Sequence, residues 1–446
     1  MHIRARIVLP VLFCFLTLRA ADSPAPAAGA ETPPEHRRIT AVCRAERDNP
    51  NYAPGETMRF SITVDFGGEK PERSFRIRWR RSGEDGIVRT GEAEAVPGKP
   101  LILETASEKP GFVRIEAWLL DDRGGNVPVT VPGRKKPRLK LFDGGAGVDI
   151  FSLKPSSPRP EDFDEFWREQ KALLAKVPLR YTMTEVKSLS PGFRTYAVRI
   201  DCAGPAPVTG YLMVPENAAP RSLAATADYQ GYGTFKQARP AGRPVGQLHF
   251  SVNAHGYELL RDEAYYREFF AGIRSRGHAY GMDPEQNRDP RKSYFCGMAL
   301  RVMRSLQFLR QLPEWNGRDL KVVGISQGGV QAIWGAALVP GVTSAEIYIP
   351  WMADWGGARL GHPCSFRPAY VPGLEYFDAV HHAGRIPGAC RVEIRRAGLG
   401  DYTSPPFGVT VLYNQLRGPK KITFYQNSDH GFVPAEGQKF TFSEKW

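Results

Sequence analysis

The stretch DLKVVGISQGGVQAIWGAALVP, Asp319 to Pro340, falls into three parts. Lys321, Val322 and Val323 form a short β-branched run suited to a buried strand. Gly324-Ile325-Ser326-Gln327-Gly328 fits G-x-S-x-G, with a further glycine at 329. Val330, Ile333, Trp334 and Leu338 then recur at helical spacing among alanines. A strand, a glycine-framed turn carrying serine and a helix form the context of a nucleophile elbow. The glycines leave room for a strained turn, and the serine ends exposed above a sheet at a helix N-terminus.

Working outward, the chain of 446 residues exceeds one ordinary domain, and two are expected. A hydrophobic content of 42% with 24% charged residues describes a soluble globular protein. His2, Arg4 and Arg6 precede an apolar run from Ile7 to Leu18 and small residues at Ala20 and Ala21. This pattern predicts a signal peptide over residues 1–21, and hence a secreted or periplasmic protein with no membrane span after cleavage. The cysteines left, Cys43, Cys202, Cys296, Cys364 and Cys390, are odd in number and lack metal-ligand spacing. One disulfide and five buried thiols are both compatible with that pattern. The net charge of +13 suits an anionic carbohydrate or envelope. The basic residues are scattered, however, and carry no nucleic-acid-binding motif.

Residues 22–37, rich in Pro and Ala, read as a flexible linker. Residues 38–135 change to short alternating runs such as Met58–Val64, Phe75–Trp79 and Phe112–Trp118, separated by glycine-rich turns. About seven such runs predict a small all-β, immunoglobulin-like sandwich, read as a spacer or packing module without catalytic residues. Residues 136–157, basic and proline-rich, read as a second linker. A helix is expected from the acidic Pro160–Trp167 segment to about Ala175, capped by Asp162. Strands at 196–200, 208–214 and 224–229 alternate with helices through 158–446, which predicts an α/β domain on a mostly parallel, doubly wound sheet.

Serine needs a base to attack an ester, and the base needs an acid to orient it. On this scaffold the chain order is serine, acid, histidine. His430 lies in the loop Asn427–Phe432, after the expected last strand Lys421–Tyr425. His381 and His382 sit in a polar helical segment and read as surface residues. Asp401, in Gly398–Pro406 beyond the strand-like Arg391–Arg395, is the leading acid, with Asp354 and Asp378 behind it. The expected oxyanion donors are the amides of Gln327 and of Tyr232, the latter in Gln230-Gly231-Tyr232-Gly233.

These motifs together resemble the acetyl xylan esterase and cephalosporin-C deacetylase family of α/β-hydrolases. The likeness rests on the Gly-x-Ser-Gln-Gly-Gly elbow, the Gly-Tyr loop, Gly-Leu-x-Asp…Pro-Pro, the late His-Gly, and Pro160–Trp167. Tyr294–Leu300 resembles the family's Tyr-x-x-Gly segment as well. The resemblance covers about residues 158–446 and implies an α/β-hydrolase fold and a serine carboxylesterase removing O-acetyl groups from sugars. It implies neither cofactor nor metal, an acetylated oligo- or polysaccharide as partner, and a homo-oligomer that the added β-domain would obstruct. Two departures stand out: Gln230 where the family often has histidine, and Ser251–Gly256 where it has Arg-Gly-Gln. Gln230, Trp351 and Trp355 are expected to line the substrate cleft, and His255 reads as a satisfied structural histidine. The rivals are a uronate methyl esterase and a non-catalytic carbohydrate-binding relic. A peptidase of this scaffold would carry a propeller, which about 95 residues cannot build.

Overall fold

The computed structural model describes residues 39–68, 71–134, 136–242, 246–434 and 437–446. The signal peptide and first linker expected over 1–37 lie outside the described residues. The first part of the chain is all β. Its strands are β1 (Thr40–Ala45), β2 (Asn51–Tyr52), β3 (Met58–Asp65), β4 (Arg76–Gly83), β5 (Arg89–Glu94), β6 (Leu101–Thr105), β7 (Gly111–Leu120), β8 (Asn126–Val127) and β9 (Lys140–Val148). One sheet runs β1-β3-β6; the other runs β2-β9-β7-β4-β5, with β8 beside β7. Alternation explains the layering: Met58, Phe60, Ile62 and Val64 of β3 all point inward and meet Phe142, Ile115 and Ile77 of the second sheet in one core.

Strand β9 corrects the reading of 136–157 as a linker. Its sequence KLFDGGAGV is rich in glycine, which ordinarily weakens a strand. Here the glycines permit close packing. A Cβ on Gly145 would lie 2.0 Å from the Val113 carbonyl oxygen, and one on Gly147 would lie 2.1 Å from Ile150.

The second part carries α1 (Phe163–Ala175), then β10 (Tyr181–Val186), β11 (Phe193–Ile200), β12 (Val208–Pro215), β13 (Leu223–Tyr229) and β14 (Gln247–Val252). Next come α2 (Glu263–Gly272), α3 (Pro284–Arg288), α4 (Tyr294–Leu309), β15 (Trp315–Ile325), α5 (Gln327–Leu338) and β16 (Ser344–Tyr348). The chain ends with α6 (Ala379–Ala383), β17 (Arg391–Gly398), α7 (Pro406–Gln415), β18 (Lys420–Tyr425) and β19 (Lys439–Glu444). The ten-stranded sheet runs β10-β11-β12-β14-β13-β15-β16-β17-β18-β19. Its centre, from β14 to β18, is parallel, and both ends are antiparallel. This is an α/β-hydrolase sheet preceded by an all-β region.

Helices α4, α5 and α7 cover the face on which Ala225, Leu320, Val322, Ile347, Ile394 and Phe424 form the main core. The alternate residues from β15 to β18 form a ladder of ion pairs instead: Lys321 with Glu346, Glu346 with Arg395, Arg395 with Glu393, and Glu393 with Lys421. Asp162 sits at the N-terminus of α1 without a side-chain capping bond, its carboxylate accepting from the Tyr376 hydroxyl instead. The five cysteines among the described residues are free thiols. Among the described residues, no helix is long and apolar enough to cross a membrane.

Candidate active site

Ser326 stands between β15 and α5 with φ at 56°, a left-handed conformation for a residue with a side chain. Such backbones cost about 1–3 kcal/mol and persist only where the surroundings enforce them. The enforcement is visible. The Ser326 amide donates to the Tyr348 carbonyl at 2.9 Å, and the Trp351 amide donates to the Ser326 carbonyl at 3.2 Å. Side chains are excluded around the turn: a Cβ on Gly328 would lie 2.1 Å from the Tyr229 oxygen, and one on Gly324 the same distance from the Gly328 oxygen.

Three residues distant in sequence meet at this turn. His430 Nε2 lies 2.9 Å from Ser326 Oγ, and His430 Nδ1 lies 2.9 Å from Asp401 Oδ2. Asp401 is fully buried, just past β17. Its other oxygen accepts the amides of Thr403 at 2.9 Å and Ser404 at 3.0 Å. A carboxylate facing Nδ1 selects the tautomer with hydrogen there, which leaves the Nε2 lone pair to accept the serine hydroxyl. The Ser404 hydroxyl donates to the Ile349 carbonyl at 3.0 Å and stands 3.5 Å from Nδ1. Serine, imidazole and carboxylate thus form one hydrogen-bonded line.

The loop after β13 runs beside the elbow, with the Gln331 side chain donating to the Gln230 carbonyl at 2.8 Å. Behind it lies a network absent from the sequence reading. The Tyr280 hydroxyl accepts the Gly233 amide at 2.9 Å and donates to Gln327 Oε1 at 3.2 Å. It thereby ties the Tyr232 loop to the residue after the serine. The Tyr280 ring stacks on Tyr232 with centroids 4.4 Å apart, and the Tyr232 hydroxyl donates to the Tyr280 carbonyl at 3.2 Å. His255 Nε2 lies 2.8 Å from the Gly233 carbonyl, so it carries the hydrogen, and Nδ1 accepts the Tyr294 hydroxyl at 2.8 Å. Burial lowers the His255 pKa to about 4, so the ring is neutral near pH 7. Burial likewise pushes the Tyr232 phenol up to about 12, and Tyr280 well above its ordinary value. These hydroxyls act as hydrogen-bonding groups, not as bases.

The other expected site residues fare differently. Trp351 and Trp355 are 2% and 6% exposed and belong to the core. The Trp351 indole N–H donates to the Phe366 carbonyl at 2.7 Å, and the two tryptophan rings pack 6.2 Å apart. They line a pocket together with Thr403 and Phe407. The exposed aromatic beside them is Phe366, 39% accessible, its ring 5.1 Å from Tyr232. Its isolated place between Cys364 and Pro368 gave no periodic signal. Both polar side-chain atoms of Gln230 are enclosed without a hydrogen-bonding partner, as is Gln327 Nε2.

His381 and His382 correct the reading of that segment as surface: they are 7% and 0% exposed. His381 Nε2 lies 2.9 Å from Glu375, and His382 Nε2 donates to the Tyr376 carbonyl at 3.0 Å. Aromatic rings of Phe163 and Trp167 close over His382. Asp378, once a rival acid, caps α6 and accepts the amides of Asp354 and Trp355. Asp354 accepts both the amide and the hydroxyl of Ser156. Glu375, Asp378 and His381 bring donor atoms within 4.8 Å of one another. Each is already engaged by protein groups.

The acetyl xylan esterase (AXE1) family model matches residues 148–360 and 369–445. The acetyl esterase Axe7A of Xylanibacter ruminicola is 25% identical over 398 residues, spanning 85% of this chain and 84% of its own. That span reaches into the all-β part. The solved acetyl xylan esterase from Paenibacillus sp. R4 is 25% identical with a TM-score of 0.53, covering 64% of this chain and 94% of its own. The acetyl xylan esterase 1 structure from Thermoanaerobacterium sp. shares the fold at 19% identity, with a TM-score of 0.53 and coverage of 64% and 93%.

Proposed function

From the membership of this chain in the acetyl xylan esterase (AXE1) family of α/β-hydrolases, whose esterase activity it shares, we propose that it removes O-acetyl groups from carbohydrate, with acetylated xylan or xylo-oligosaccharides as the substrate class. The observation that carries this reading is the line from Ser326 through His430 to Asp401, with 2.9 Å at each step.

In this reading His430 takes the proton from Ser326 Oγ as that oxygen attacks the acetyl carbonyl carbon. Negative charge develops on the carbonyl oxygen, where the amides of Tyr232 and Gln327 receive it, each donor worth roughly 3 kcal/mol. The sugar oxygen leaves with the proton held by His430. Water, deprotonated by His430, then attacks the acyl-serine and releases acetate. The surroundings support the assignment because the turn that strains Ser326 also places the Gln327 amide at the start of α5.

The test is acetate release from acetylated xylan and xylo-oligosaccharides, with a glucuronate methyl ester in parallel, for wild type and Ser326→Ala. Release abolished by the substitution supports the deacetylase. Turnover of the methyl ester alone would shift the substrate to uronates, and ligand binding without turnover of any ester would leave a carbohydrate-binding protein. Export from the cytoplasm is part of the proposal, on the strength of residues 1–21, and N-terminal sequencing of material outside the cells tests it.

A further inference from the structure

The all-β region contacts the residues next to the acid and the base. On the acid side, Gly400 packs against β9 so closely that a Cβ there would lie 2.1 Å from the Asp143 carbonyl oxygen. Tyr402, on the other flank of Asp401, lies under the Arg114 guanidinium, which stands 3.9 Å from its ring centroid. Arg114 is itself fixed by a two-pronged bond to Asp143, 2.8 Å on each prong, and Lys140 bonds Asp143 at 2.6 Å and Glu116 at 2.5 Å. On the base side, Gln426 exchanges two bonds with the Gly145 backbone, at 3.0 and 2.5 Å. The Asp143 amide donates to Asn427 Oδ1 at 3.3 Å, and Arg138 donates to the Asn427 carbonyl at 3.3 Å. Arg134 pairs with Asp429, the neighbour of His430, at 2.7 Å, and its guanidinium lies 5.2 Å from the Phe432 ring centroid.

A spacer would need none of these contacts. Asp401 is held through Gly400 and Tyr402 by the adjacent strands β7 and β9, and His430 through Asp429 and Phe432 by Arg134, which precedes β9. We propose that strands β7 and β9, with Arg134 and Arg138, form a positioning element that sets the Asp401–His430 spacing, so that the all-β region is part of the catalytic unit. Arg114 and Arg134 are its positioning residues. They touch no reacting atom and act through the loops they hold. The proposal rests on the Ser326–His430–Asp401 assignment above. The energetic logic is that of preorganisation: a displacement of about 1 Å in a reacting group can cost about 100-fold in rate.

The experiment uses the full chain. Arg134→Ala is the decisive variant, because its ion pair is about one-third exposed on each side and contributes little to folding. Arg134→Lys restores the single contact to Asp429, and Arg114→Gln removes the stacked fork on Tyr402. Arg59→Ala, in an exposed pair with Glu104 on the other sheet, is the control. Each is assayed for kcat and KM on p-nitrophenyl acetate, for thermal midpoint, and for the rate at which a fluorophosphonate labels Ser326. The expected result is a fall of about tenfold in kcat and in labelling rate for Arg134→Ala and Arg114→Gln. KM should stay within a factor of two, Arg134→Lys should recover activity, and Arg59→Ala should match wild type. Values of kcat for Arg134→Ala within twofold of wild type, or a loss appearing in KM alone, would overturn the proposal. If Arg114→Gln does not fold, Arg134→Ala and its lysine rescue decide. Activity surviving Ser326→Ala would instead bring down the underlying assignment, and the positioning proposal with it.

Discussion

Tyr280→Phe tests the oxyanion side of the site by removing one oxygen. That oxygen accepts the Gly233 amide at 2.9 Å and donates to Gln327 Oε1 at 3.2 Å, so both loops bearing the expected oxyanion donors lose a shared tether. The ring and its stack on Tyr232, 4.4 Å between centroids, stay in place. Folding should weaken by roughly 2–6 kcal/mol, since two polar groups, one buried and one part-buried, are left unpaired at about 1–3 kcal/mol each. Losing an oxyanion donor outright costs about 10²–10³ in kcat. Here the donors remain and only their spacing loosens, so the expected fall is about ten- to a hundredfold. The assay is initial-rate kinetics on p-nitrophenyl acetate with kcat and KM separated, beside a chemical denaturation curve. The loss should fall on kcat, because the donors meet charge only in the transition state. A variant that is measurably less stable yet keeps kcat within twofold of wild type would refute the reasoning: the tether would then serve the fold alone.

Asp401→Asn should lower kcat by about 10⁴ with little loss of fold, because its remaining oxygen still accepts the Thr403 and Ser404 amides; steady-state kinetics with circular dichroism checks both halves. His382, its pKa lowered to about 3 by burial, stays neutral in the folded chain where the unfolded histidine, at 6.5, is charged. Unfolded chains therefore bind more protons below pH 6.5, and stability drains away as pH falls toward the folded value by about 1.4 kcal/mol per unit. Glu84 and Asp378, both raised to about 7 by burial, pull the other way. The measurement is accordingly a difference: His382→Gln should gain on wild type in denaturation midpoint as pH drops from 6.5 to 4.5, and a constant gap would contradict the assignment. Gly328→Ala should yield insoluble or inactive protein, given the 2.1 Å approach to the Tyr229 oxygen. Gly272→Ala, at the end of α2 with nothing within 4 Å, should instead stabilise by up to about 1 kcal/mol in the same assay.

The elbow was legible because its chemistry is local: strand, glycine turn and helix are contiguous, and each glycine answers a close approach. Asp401 and His430 were legible as loop residues at strand ends, where parallel sheets gather their sites. What escaped reading depends on distance along the chain. The tether through Tyr280, His255 and Tyr294 joins residues from five segments, and no spacing links them. His381 and His382 sit in a polar-looking segment, yet each ring finds a partner for one nitrogen and aromatic rings cover His382. Trp351 and Trp355 read as cleft residues because aromatics serve both core and sugar, and only packing tells them apart. The glycines of β9 hid a strand by mimicking a loop.

The bond between Gln426 and Gly145 also carries a consequence for the order in which the chain is made. β9 pairs with β7 on one side, and its other side meets β2 only at Gly147 and Val148. At Gly145 that edge is completed by a side chain 281 residues further on. At ribosomal speeds of about 5–20 residues per second, roughly 15–60 s pass between the synthesis of the edge and that of its cover. During that interval the emerging β-region presents an open strand edge beside the charges of Arg114, Asp143 and Lys140, and open edges invite pairing with other chains. The nascent polypeptide thus depends on its last strands for protection of its first sheet, and slowing translation between Gly145 and Gln426 should raise the fraction lost to aggregation.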